Sequence, residues 1–186
     1  MRASSLGSLG LRQADEAPEP ATQTAPQKPQ AVAEARAFSW KEPAVLGAVD
    51  GLITSFVIVA SGAAGALEKR GVVVVLASSL VADAFSMGVS EYLSSRLSLA
   101  RRLALLEGLV CFLSFAVAGA VPLLAYALLP PPTDVGASGA LFAVALLGVG
   151  LVRGASSPSA GWSALEVFAL GVAASGLSVL VAWAVR

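Results

Sequence analysis

The sequence predicts an all-α integral membrane protein with five transmembrane helices and a disordered N-terminal tail. Three observations predict it. First, the 186 residues are 56% hydrophobic and only 13% charged, with a mean hydropathy of +0.80. A soluble domain of this size needs far more charge on its surface. Second, five apolar segments follow one another, each near the roughly 17–25 residues that cross a bilayer core. Third, residues 1–40 are of another material: Pro, Ala, Gln, Glu and Ser dominate (ADEAPEPATQTAPQKPQ), with no apolar period. Met1–Arg12 lacks the continuous apolar core of a secretory signal.

The first span is expected over about 43–67, with Pro43 placed to open it and Trp40 at the interface. The second covers about 72–95. The third, about 107–129, is stopped by Pro130–Pro132, and Pro122 inside it is read as a packing feature that kinks the helix. Glu107 opens this span, where a first-turn carboxylate suits the helix dipole; Glu166 is read the same way in the fifth. The fourth covers about 136–152 and the fifth about 162–185, with Trp183 at the far interface. Residues 41–186 thus form one five-span domain in the lipid bilayer. The flanking cations Arg36, Lys41, Arg96, Arg101, Arg102 and Arg153 outweigh Lys69, Arg70 and Arg186 across the membrane, which predicts a cytosolic N-terminus.

Composition excludes several chemistries. Twelve basic and twelve acidic residues leave no net charge and no footprint for nucleic acid. Without His there is no Ser-His or Cys-His catalysis, and no imidazole ligand or relay. The single Cys111 lies in an apolar run, so neither a disulfide framework nor a thiolate cluster is available. No enzyme and no permanently bound cofactor are expected. Carboxylate, hydroxyl, carbonyl and Met sulfur remain as metal ligands, which suits Mn²⁺ or Fe²⁺ better than a closed zinc site.

Against this background the second span stands out. VVVVLASSLVADAFSMGVSEYLSS carries Asp83, Met87 and Glu91 in a segment apolar enough to span. A charge at a bilayer centre costs roughly 2.5–3.5 kcal/mol on insertion scales, and such residues mark ion pathways. Asp83 and Met87 are one helical turn apart; Ser79, Ser90 and Ser94 fall on the same side, and Glu91 at its edge. In the first span Asp50 shares a face with Gly47, Thr54, Ser61 and Gly65, while Gly47 and Gly51 form a small-xxx-small pair for close helix packing. Counting at about 1.5 Å per residue puts Asp50 and Met87 at similar depth, with Glu91 shallower and Asp83 deeper. The expected path for a cation therefore runs through Glu91, Asp50, Met87 and Asp83, with Thr54, Ser61, Ser79 and Ser90 as possible lining.

DGLITSFVIVASGAAGA (50–66), SSLVADAFSMGVSEYLSSR (78–96) and GLVCFLSFAVAGAVPLLAYAL (108–128) resemble the first three spans of the vacuolar iron transporter family, which includes nodulin-21-like plant proteins. The resemblance covers about residues 44–186 and implies five spans and a homodimer. It also implies export of Fe²⁺ or Mn²⁺ from the cytosol, across a vacuolar or other organelle membrane, into a vacuole-like compartment against protons. It assigns Asp50 and Met87 to the ion path. Asp83 stands one turn after Ser79, where some members carry an acid, and matches others directly. Many members insert a long Glu-rich, metal-collecting segment between spans two and three; here only RLSLARR (96–102) connects them. A non-transporting membrane scaffold or assembly protein of the same fold is the alternative. An intramembrane aspartyl protease also needs two membrane acids, but GAV precedes Asp50 where a Gly-x-Gly-Asp signature would stand.

Overall fold

Five apolar helices make up the described part of the chain. The computed structural model describes residues 38–155 and 160–185. The expected tail falls outside these residues up to residue 37, as does Arg186. The helices are α1 (Lys41–Ala64), α2 (Lys69–Ser95), α3 (Arg101–Leu128), α4 (Thr133–Gly154) and α5 (Ala160–Val185). Each is long and apolar enough to cross a membrane, and no strand occurs among the described residues. Several helices start earlier than their apolar runs, because hydropathy marks only the lipid-facing part of a helix whose hydrogen bonds continue into polar flanks. The outward surface is apolar: Val81, Phe85, Val117, Val144 and Leu170 are all more than half exposed, as lipid contact requires.

α1 is the hub and packs on all four other helices. α2 packs on α1 and α3, α5 packs on α1 and α4, and α2 and α5 do not touch among the described residues. The closest approach is between α1 and α3. A Cβ at Gly47 would meet the Cys111 carbonyl and the Ser114 hydroxyl, and one at Gly51 would meet the Phe115 carbonyl. Only glycine lets the two backbones come this close. Around this crossing lie three apolar clusters. Leu52, Phe142, Leu146 and Val167 join α1, α4 and α5; Val59, Val72, Leu76 and Tyr126 join α1, α2 and α3; Leu80, Ala84 and Phe115 join α2 and α3. The rings of Phe56 and Phe142 stack at 4.5 Å. Pro122 is fully buried inside α3, and Ser138 of α4 donates to its carbonyl at 3.0 Å.

The turns are built locally. α1 ends with Ala66 N–H donating to Ala63 O (3.1 Å) and Leu67 N–H donating to Gly62 O (2.9 Å), the paired bonds of a Schellman ending. Ala66 takes φ 54°, the left-handed conformation that favours glycine. At the same end of the bundle Lys69 pairs with the buried Asp134 (3.2 Å), donates to the Leu129 carbonyl and lies over the Tyr126 ring (5.2 Å). One ammonium group thus ties the start of α2 to the α3–α4 turn.

Two stability outcomes follow, both read from tryptophan-monitored thermal unfolding in detergent. Ala66→Gly relieves the left-handed alanine and is expected to stabilise by about 1 kcal/mol. Gly51→Leu drives a branched side chain into the α3 backbone and is expected to destabilise by about 3 kcal/mol or more.

Candidate functional site

The row Gly47, Gly51, Ser55 and Val59 is buried on α1. Asp50 is one residue, about 100°, away from that row. Packing of the row against α3 therefore turns Asp50 sideways, toward the gap between α2 and α5. On α2 the row Leu76, Leu80, Ala84 and Gly88 is buried. The neighbouring row Ser79, Asp83, Met87 and Glu91 is half-buried, and of these Met87 lines the same gap. Ser90 and Ser94 are exposed, so the polar stripe of α2 splits between the gap and the outer surface.

The gap holds a groove of about 470 Å³ that Asp50 and Met87 line together, with Val45, Leu46, Val49 and Ile53 of α1, Arg153 of α4, and Val167 and Leu170 of α5. Asp83 lies within electrostatic reach of the Asp50 carboxylate. Asp83 itself does not line the groove. Both Asp50 and Glu91 bear electrostatically on Cys111, which is fully buried on α3 and stands behind the groove. Among the described residues no three His, Cys, Asp or Glu side chains converge as a metal cage. One copy of the chain thus supplies one carboxylate and one thioether on the wall of a groove, not a closed coordination shell.

Ser61 is elsewhere. Its hydroxyl donates to Val57 O at 2.7 Å, and it lines a second groove, of about 480 Å³, with Gly65, Gly71 and Ala182 at the far end of the same gap. Thr54 is half-buried on α1 between the two.

Two acids sit differently from the sequence expectation. Glu107 is the seventh residue of α3, not part of its first turn. It is fully buried, accepting from the Ser39 backbone N–H (3.2 Å) and from the Ser95 hydroxyl (2.6 Å). The helix begins at Arg101, so the dipole explanation does not apply. Glu166 likewise lies past the first turn of α5 and pairs with Arg153 at 3.3 Å, both half exposed. Arg153 was legible only as a flanking cation. Its place beside Asp50 and Met87 comes from the packing of α4 on α1, which no local pattern shows.

The family model described as the VIT family matches residues 42–101 and 98–183. The chain belongs to the VIT family. Its vacuolar iron transporter resemblance, carried by the first three spans, thus extends across all five helices, and the protein is a multi-pass membrane protein of a metal-ion transporter family. The two matched stretches meet at the α2–α3 junction, where the connection is short. No curated protein matches the chain.

In this VIT-family chain the groove is reachable and the row behind it is not. In a Cys111→Ser background, Asp50→Cys is expected to react with a small cationic thiosulfonate. Leu52→Cys, on the fully buried side of α1, should react at least about tenfold more slowly. Labelling followed by mass measurement checks this.

Proposed function

We propose that the protein moves Fe²⁺ or Mn²⁺ out of the cytosol into a vacuole-like compartment, as a homodimer and in exchange for protons. The observation that carries this is the shared groove: Asp50 and Met87, from helices running in opposite directions, line one space, with Asp83 acting on Asp50. Carboxylate oxygen suits Mn²⁺ and Fe²⁺ alike, and the thioether favours the softer Fe²⁺. Asp50 binds and orients the ion, Met87 supplies the softer contact, Asp83 takes it deeper, and Glu91 receives it at the shallow end. The carboxylates bind metal only when ionised, so protons from an acidic compartment compete for the same oxygens and release the ion. The cytosolic N-terminus follows the flanking cations.

The groove also supports the homodimer. It is open along the side between α2 and α5, and an acid facing lipid there costs roughly 2.5–3.5 kcal/mol. A second copy seated on that side removes the cost and brings a second Asp50 and Met87, which supplies the ligands one chain lacks.

Purified protein in liposomes with an acidic interior is expected to accumulate Fe²⁺ or Mn²⁺, and Asp50→Ala to reduce uptake to the level of protein-free vesicles. Met87→Ala should weaken the apparent affinity for Fe²⁺ roughly tenfold. Normal transport by both variants overturns the assignment. The short α2–α3 connection favours a second reading, a non-transporting membrane scaffold of the same fold. Wild-type vesicles that pass neither metal would decide for it.

A further inference from the structure

Several serines of this bundle follow an ordinary habit. Ser61 donates to Val57 O, Ser78 to Val74 O and Ser175 to Gly171 O, each to the carbonyl one turn back, as helical serines do. Ser95, buried to 2% exposure, instead places its hydroxyl 2.6 Å from Glu107 Oε2 and 3.1 Å from Glu91 Oε1. The short bond to the fully buried Glu107 holds the oxygen in place. Glu107 also accepts from the backbone N–H of Ser39, just before α1. It therefore fixes Ser95 of α2 relative to α3 and to the start of α1.

We infer that Glu107, acting through Ser95, is a positioning residue for Glu91, and that the pair sets the affinity with which a divalent cation is first captured. The inference rests on the transport reading above. A free glutamate spreads over several rotamers, and binding a cation must freeze them. Glu91 is half-buried, and its Oε1 shares the single Ser95 hydroxyl proton with Glu107 before any ion arrives. Its carboxylate, one turn from the groove-lining Met87, is thus ordered at reduced entropic cost for binding. The short α2–α3 turn makes this possible: Ser95 and Glu107 are 12 residues apart, and their bond closes the hairpin directly.

The test is the initial rate of Mn²⁺ uptake against Mn²⁺ concentration, with the full chain in liposomes. Ser95→Ala is expected to raise KM about fivefold and to leave kcat within about twofold. Glu107→Ala should do the same, and E107Q, which keeps an acceptor for Ser95, should stay closer to wild type. In an E91Q background S95A should add nothing, because Ser95 acts only through Glu91. A purely structural role would lower the active fraction and hence kcat, leaving KM where it was. S95A with a wild-type KM, a loss confined to kcat, or a further rise of KM in the E91Q background overturns the inference while leaving transport standing. Wild-type vesicles that pass no metal overturn the transport reading and this one with it. If E107A fails to fold, S95A, which removes a single oxygen, still decides.

Discussion

Backbone-close packing of α1 on α3 is the constraint from which the other contacts follow. Glycines at 47 and 51 let α1 lie against the carbonyls of Cys111 and Phe115. A helix in lipid gains little by burying one apolar surface rather than another, so such close contact is what specifies a crossing. Once the row through Gly47 and Gly51 is pressed onto α3, the neighbouring residue has no freedom of direction. Asp50 is turned into the gap between α2 and α5, where Met87 meets it.

The polar groups that the bilayer makes expensive are placed by the same logic. At one end Lys69 gathers Asp134, the Leu129 carbonyl and the Tyr126 ring. At the other, Glu107 gathers Ser95 and the backbone before α1. Both clusters join α2 to α3, each near a turn. Between them, Asp50, Asp83, Met87 and Glu91 remain half-buried beside the gap. Satisfied polar groups at the ends hold the frame, and Asp50 and Met87 between them line the groove where a cation can reach them.

Much of this was legible in the sequence. The five helices were written in runs of apolar residues broken by Gly65–Leu67, the 96–102 turn, Pro130–Pro132 and the 153–161 stretch. The stripe bearing Asp83, Met87 and Glu91 was a matter of spacing alone. Other features were not legible. Nothing near Glu107 reveals that Ser95 reaches it, because the bond depends on how sharply the α2–α3 turn closes. Nothing near Arg153 reveals Asp50, because α4 and α1 are distant in sequence. Ser90 and Ser61 shared a helical face with the acids on a wheel, yet one is exposed and the other lines a separate groove. A wheel gives direction about an axis but not which neighbour lies in that direction.

The sequence by itself determined that the chain crosses a membrane five times and carries acids and a thioether at depths where they are costly. Those properties are local: a run of side chains sets transfer energy, and a period of 3.6 residues sets the face. Tertiary structure alone decided that Asp50 and Met87 share a groove, that the groove is open between α2 and α5, and that Glu107 is an internal strut. These depend on which helices touch, and that is settled by backbone shape at a few glycines and by turn length, quantities summed over the whole bundle.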